Sequence, residues 1–458
     1  MSAITEILAR WGALPSKELL KYVADEIGSE RTMQRAIKTD AHVLRLGHTK
    51  RSAYALRRPE IAPVPILLRD EQGRDHTVAT LVALAAGQWW VEPTAEAPDW
   101  MLLGERSGTP GVFQGLPWYL EPFRPAGFLG RAWVREHAQA HGWTLDANAW
   151  TDDQVISAAL QEAWDWRGNL GLARIADAAD TAVLAENRFE RYAELANQLL
   201  NGVMVGASAD GEQPKFAAVV DDGKGQPPRS VLVKFSPPLA HDPAARRWGD
   251  IMVTEGMVAQ VMTLHGMSAA PTQVWRHQDR IWLETTRFDR INERGRKGMA
   301  SLRSLAQTFG YNGPQNGWVN AVEYLYQRNA IDAEQVARTQ RLANIGHLMA
   351  HTDMHMGNLS FLLSNDAKSP LSVAPAYDMA PMRWAPSSTT GVVPELMKEA
   401  PPQVDDSEAM NIAREVWEVV ADHDEVTPEW AEWAKDRARH LKEAVNRAAM
   451  RIEGRSSG

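Results

Sequence analysis

The segment His351-Thr352-Asp353-Met354-His355-Met356-Gly357-Asn358, followed by Leu359-Ser360-Phe361-Leu362-Leu363 and later by Tyr377-Asp378-Met379, is where the chemistry of this chain is densest. It sets an acid, an amide five residues on, and a second acid twenty residues beyond the amide. The apolar run between them can return both ends to one pocket. Phosphoryl transfer from a magnesium nucleotide needs such a set. One carboxylate orients and deprotonates a hydroxyl, while an amide oxygen and another carboxylate hold Mg²⁺. Asp353 is therefore the candidate catalytic base, and Asn358 and Asp378 are the candidate Mg²⁺ ligands. His355 would support the loop or touch phosphate. The same residues admit a rival reading. His351, Asp353 and His355, completed by Asp378, form a plausible metal-ligand cluster for a metal-dependent nuclease.

Upstream residues choose between these readings. Ser208-Ala209-Asp210-Gly211-Glu212-Gln213-Pro214-Lys215 joins two strand-like segments, and such a turn can cradle a triphosphate with its backbone N–H groups and lysine. It is no Walker A loop, because Phe216 follows Lys215 where Ser or Thr is required. An ordinary hairpin turn is the plainer alternative. Lys234 falls in the apolar strand Val231 to Phe235, where an unpaired ammonium would be costly to bury. It would bind the α/β-phosphates and pair with Glu255 on the next helix; the alternative is an edge lysine snorkelling to water. Thr285 to Arg290 follows a strand and would form the hinge that meets adenine, with Phe288 against the base; a core aromatic is the plainer alternative for Phe288. The nuclease reading gives Asn358, Lys234 and the 208–215 loop no work, so kinase chemistry accounts for more of the chain.

At 458 residues several domains are expected. There is no cysteine, which excludes disulfides, thiolate metal sites and cysteine nucleophiles and suits a reducing cytoplasm. No apolar run approaches a membrane span, so no membrane partner is expected. The net charge of −9 is uneven: residues 1–60 hold eleven Lys and Arg against seven Asp and Glu, or +4, leaving −13 for the rest. This basic head reads as three short helices and a two-stranded wing. Ser16 and Ser29 are the expected N-caps of the second and third helices. Arg31, Gln34, Arg35 and Lys38 on the third helix, with Lys50 and Arg51 in the wing turn, are the candidate DNA contacts of a winged helix-turn-helix. Pro59 to Pro65 reads as a linker. Beyond residue 189 a small sheet with one helix precedes a mainly helical half, which is the bilobal kinase plan.

Ser208 to Lys215, Lys234, Thr286-Arg287-Phe288-Asp289-Arg290, Thr352-Asp353-x-His355-x-x-Asn358 and Ala376-Tyr377-Asp378 together resemble the ordered motifs of the HipA family of serine/threonine kinase toxins. Phe113 to Arg131 is similar to a region of that family's N-terminal subdomain. The resemblance covers roughly residues 61–445. It implies an α+β multidomain chain: a winged helix-turn-helix (1–58), a small α/β HipA-like subdomain (61–188), a kinase-like N-lobe (189–285) and a helical C-lobe (286–450). It implies ATP and Mg²⁺ as cofactors, with Asp210, Gly211, Glu212, Gln213, Pro214, Lys215, Lys234, Phe288, His355, Asn358, Tyr377 and Asp378 lining the nucleotide site. Ser208 corresponds to the family's inhibitory autophosphorylation serine; a phosphate there would place added negative charge beside the triphosphate pocket. The implied partners are a protein substrate of the translation machinery and an antitoxin, with a homodimer on DNA. Thr286 departs from the family by replacing the usual hinge acid. The fused head resembles the longer HipH/YjjJ-type branch, in which it would take over operator binding in cis. A transcription regulator with a nucleotide-sensing kinase-like half is the remaining alternative.

Overall fold

The computed structural model describes all residues except 1, 48–51, 104–108, 162–165, 176–182, 201–212, 224, 241, 365–370, 388, 398–400, 403 and 457–458. The chain opens with helices α1 (Ala3–Trp11), α2 (Ser16–Ile27) and α3 (Glu30–Thr39). Ser2 and Ser29 cap α1 and α3 by accepting from the N–H groups of Thr5 and Thr32, and Gly12 and Gly28 stop α1 and α2 with positive φ. Ser16 does not cap α2. It is the helix's first residue, Pro15 stands in the cap position, and the Ser16 hydroxyl donates to Glu30 at 3.3 Å. Strands β1 (Leu14–Pro15), β2 (Val43–Leu46) and β3 (Ala53–Leu56) form an antiparallel sheet in the order β1-β3-β2, one strand more than the sequence pattern indicates. Ile4, Leu8, Leu19, Val23, Met33 and Ile37 fill this region's own core.

The next sheet contains β4 (Val64–Arg69), β5 (Asp75–Ala83), β6 (Gln88–Pro93), β7 (Val112–Gln114) and β8 (Leu170–Leu172), in the order β7-β6-β5-β4-β8. Helices α4 (Gly127–His137) and α5 (Asp152–Gln161) belong to the same region. The expected linker is cut short, because Val64 and Pro65 are already paired with Leu81 and Thr80 of β5.

A second five-stranded sheet holds β9 (Val183–Leu184), β10 (Lys215–Asp221), β11 (Arg229–Phe235), β12 (Thr272–His277) and β13 (Arg280–Thr286), ordered β12-β13-β11-β10-β9. Two helices accompany it, α6 (Arg188–Leu200) and α7 (Pro243–Leu264). Asp242 caps α7 by accepting from the Ala244 N–H, and Pro243 occupies its first turn. Beyond lie the short pair β14 (Arg290–Ile291) and β15 (Gly295–Arg296) and the sheet β16 (Gly298–Ser301), β17 (Ser360–Leu363) and β18 (Leu371–Val373). The helical half comprises α8 (Leu302–Thr308), α9 (Trp318–Tyr326), α10 (Ala333–Leu348), α11 (Ser407–Ala421) and α12 (Pro428–Ser456). A single apolar core runs from Val64 to Leu441. At its C-terminal end Trp384 meets Trp433 edge-on at 4.3 Å, and the Arg437 guanidinium lies over Trp384, Trp417 and Trp433.

Candidate active site

Strands β10 and β11 pair so that Lys215 stands directly opposite Lys234. Directly opposed residues project to the same face of a sheet, and two ammonium groups there repel unless carboxylates intervene. Two do. Lys234 Nζ donates to Glu255 at 2.7 and 2.9 Å and also to Asp378. Glu255 arrives from α7, whose approach to the sheet depends on Gly256: a Cβ at that position would lie 2.3 Å from Val274 Cγ2. Asp378 arrives from the segment after β18 in a left-handed conformation, φ 58°. Burial alone would push Asp378 upward, but the charges of Lys234 and Lys215 outweigh it and hold the carboxyl well below the usual range. Burial works against the Lys234 ammonium as well, and the Asp378 and Glu255 charges overcome it, raising its pKa. Burial raises Glu255, opposed by Lys234.

These groups line a cleft of about 780 Å³, counted to its open mouth. Leu232 and Met299 supply apolar wall, and Thr285, Thr286 and Phe288, at and just after the end of β13, line the cleft as well. The Phe288 and Tyr377 rings, both on its lining, pack on each other with centroids 5.7 Å apart. Tyr377 is fixed by its hydroxyl, which donates to the Gly357 carbonyl at 3.0 Å and lies 2.8 Å from Ser360 Oγ. Asn358 also lines the cleft, and its Nδ2 donates to the Asp353 carbonyl at 2.9 Å. Its amide nitrogen is thus committed to the loop, which leaves Oδ1 as the atom that could meet a metal. Flat rings and apolar side chains at one end, with two ammonium groups, an amide oxygen and a carboxylate at the other, fit a magnesium nucleotide. Mg²⁺ keeps most of its shell as water and phosphate oxygen, so two protein ligands suffice.

Asp353 faces elsewhere. Together with Thr352 it lines a neighbouring groove of about 1680 Å³ walled by Phe235, Trp248, Met252 and Met382. Gln213 and Pro214 line this groove rather than the cleft, although the adjacent Lys215 lines the cleft. The hydrogen bond from Asn358 to Asp353 joins the two spaces. His355, expected at the nucleotide site, is in the lining of neither space; its Nε2 lies 3.7 Å from Asp353 Oδ1.

His351 does not join a metal cluster. Its Nδ1–H donates to the Ala380 carbonyl at 2.9 Å, and burial lowers its pKa. Among the described residues no group of three His, Asp or Glu side chains could hold a metal ion. Ser208, Asp210, Gly211, Glu212, Lys50 and Arg51 lie outside the described residues. Arg31, Gln34, Arg35 and Lys38 are all exposed on α3.

Two features were not read from the sequence. The Arg287-Phe288-Asp289-Arg290 segment, expected to be a hinge, is a clamp between distant parts of the chain. Arg287 donates twice to Asp289 at 3.0 Å, Asp289 accepts from the Gly168 N–H at 2.9 Å, and Arg290 donates to the carbonyls of Trp166 and Gly168. Glu284, fully buried on β13, accepts from Tyr192 at 2.6 Å and from Arg229. An acid within a strand pattern signals a buried network only once its partners are known.

Residues 60–179 match the family model of the YjjJ-like toxin middle domain, and residues 207–454 match that of the HipA-like C-terminal domain. Toxin YjjJ of Escherichia coli (strain K12) is 29% identical over 463 aligned residues, covering 98% of this chain and 99% of that protein. A chain of the Shewanella oneidensis MR-1 HipA, HipB and operator DNA complex superposes with a TM-score of 0.48 at 15% identity, over 84% of this chain and 97% of that one. The Helicobacter pylori proinflammatory kinase CtkA gives 0.37 at 11% identity, over 54% and 94%. With its HipA-like C-terminal match alone spanning more than half of the 458 residues, the chain belongs to the HipA family, in its YjjJ-type branch.

Proposed function

We propose that this protein is a toxin of the HipA type that acts as an ATP- and Mg²⁺-dependent protein serine/threonine kinase. The observation that carries the reading is the Lys234 ammonium, held between Glu255 and Asp378 in the cleft that also contains Asn358. A lysine shared by a helix carboxylate and a metal-binding carboxylate is what phosphoryl transfer from a nucleotide requires. Mg²⁺-ATP, bound in the cleft, would supply the phosphoryl group. Lys234 and Lys215 would orient its phosphates, Phe288 and Tyr377 would pack against the base, and Asn358 and Asp378 would hold the metal. Asp353 would accept the proton of a hydroxyl arriving through the groove, whose apolar walls limit water there. Ser208 is the proposed autophosphorylation site. The four-part division at residues 58, 188 and 285 goes with this reading.

Incubation with γ-labelled ATP and Mg²⁺ tests it. Label is expected on the wild-type chain and on a protein in cell extract, and is expected to vanish in Asp353→Ala and Lys234→Ala. Wild-type protein that transfers no label, or metal-dependent plasmid cleavage that survives Lys234→Ala, would defeat the kinase reading.

The head is proposed to be a winged helix-turn-helix that binds DNA through α3. Arg31, Arg35 and Lys38 are exposed along that helix, and their charge stands against an otherwise acidic chain. Charge reversal at Arg31 and Arg35 should abolish the retardation of promoter DNA at low salt. Equal retardation by the variant would exclude α3 as the contact.

A further inference from the structure

Arg303, at the start of α8, lies against the catalytic loop. Its backbone N–H donates to the Met356 carbonyl at 3.0 Å, and the Leu302 N–H donates to the Leu359 carbonyl at 2.8 Å. The loop is pinned from other sides as well: Trp318 Nε1–H donates to the His355 carbonyl at 2.9 Å, and the Met356 N–H donates to the Gln315 carbonyl at 3.0 Å. Within this rigid setting His355 Nδ1 faces two donors, the Gly357 N–H at 3.0 Å and Arg303 Nη2 at 3.3 Å. Neither donor can accept, so Nδ1 carries no proton and the ring proton is on Nε2. That nitrogen points towards Asp353, 3.7 Å from Oδ1. Asn358 Nδ2 approaches the other carboxylate oxygen, Oδ2, at 3.4 Å. Gly357 is required by the same packing, since a Cβ there would lie 2.9 Å from His355 Nδ1.

We infer that Arg303 is a positioning residue that, together with the Gly357 N–H, holds the His355 ring in place and in its Nε2–H form, so that the imidazole steers the Asp353 carboxylate towards the incoming hydroxyl. The inference rests on the kinase reading for its consequence, but not for its geometry. Catalytic hydrogen bonds that are long without substrate shorten when it binds, and a misplacement of about 1 Å can cost roughly a hundredfold in rate.

The test uses the full-length chain labelled with ¹⁵N-histidine, with the His355 signals assigned by their loss in His355→Asn. Wild type is expected to show a bare Nδ1 and a protonated Nε2. Arg303→Ala, which leaves Nδ1 only the Gly357 N–H, should shift the His355 nitrogen signals and lower kcat by about ten- to a hundredfold with the KM for ATP little changed. Arg303→Lys, which restores a donor on a flexible stem, should recover most of both. An unchanged His355 spectrum in Arg303→Ala overturns the inference. So does a raised KM for ATP at unchanged kcat, which would make Arg303 a nucleotide contact. If wild type transfers no phosphate the kinase reading fails, while the histidine spectra still decide whether Arg303 positions the His355 ring.

Discussion

Removing the Lys234 ammonium would leave the buried Glu255 carboxylate and the partly buried Asp378 carboxylate facing the cleft, with Lys215 the remaining ammonium beside them. Breaking a buried ion pair on one side costs about 3–5 kcal/mol. Lys234→Met should therefore lower the melting temperature as well as abolish nucleotide binding, whereas Asp353→Ala, at a half-exposed groove residue, should abolish transfer with the melting temperature nearly unchanged. Calorimetry with ATP analogues and thermal melts separates the two. Acid should expose a second contrast. Asp378 is held below its ordinary range, so its contribution is present above the unfolded value and is lost as pH falls towards the folded one. Asp250 on α7 behaves oppositely. It accepts from Thr427 N and Oγ1 at 2.7 and 2.8 Å, yet burial pushes it up to about 6 from 3.8. The folded state then holds the proton more tightly than the unfolded state. This contribution is full below about pH 4 and declines by roughly 2–3 kcal/mol as pH rises through about 6. Unfolding compared between wild type and Asp250→Asn from pH 4 to 7 should show this decline in wild type alone.

At the scale of elements, α7 does most to set the site. Its start at Pro243, with Asp242 as cap, is a signal the sequence carries openly, although the apolar pattern marks only the part from Trp248 onward. Its close approach to β12 was not legible. Gly256 looks like any helix glycine until Val274 is seen against it. Gly256→Ala should push the helix away from the sheet, draw Glu255 from Lys234, and cost about 1–3 kcal/mol of stability through overpacking, with lower kcat. Transfer assays and melts on one preparation check both effects. The same division holds elsewhere. The strands flanking Lys215 and Lys234 follow from their apolar runs, and Ser29 from its cap position. Strands β8, β9 and β12 did not stand out, because their places depend on partners far away in the chain. Arg287 and Asp289 were read as hinge because their clamp on residues 166–168 joins segments more than a hundred positions apart.

Across the whole molecule, the basic head is not a tethered module. Ala13, Leu46, Ala53 and Ala55 of the head share an apolar cluster with Val82, Leu84 and Val112 of the following sheet. The backbone continues the contact: the Ala85 N–H donates to the Leu56 carbonyl at 2.8 Å, and the Arg58 N–H donates to the Ala83 carbonyl at 3.0 Å. Gln88 closes it, its Oε1 accepting from the Ala13 N–H at 2.7 Å over Gly12, where a Cβ would come within 2.3 Å of that oxygen. A head fixed in this way presents α3 at a set angle to the body, so DNA bound there would feel the orientation of the whole chain. The contact also constrains how the head can be studied. Deleting residues 1–58 would bare Val82, Leu84 and Val112, which are at most 4% exposed in the full chain, and would leave the Ala83 and Ala85 backbone groups without these partners. The truncated chain should melt several degrees below the full one and be more prone to aggregate, because an exposed apolar patch at an unpaired strand edge invites association. Gln88→Ala, which removes one buried acceptor, should cost about 1–3 kcal/mol at this contact while leaving the α3 charges intact. Differential scanning calorimetry of both decides the matter. Equal melting temperatures for the full and truncated chains would show the head to be energetically independent. A lowered one would make substitutions on α3, and not deletion, the sound way to test DNA binding.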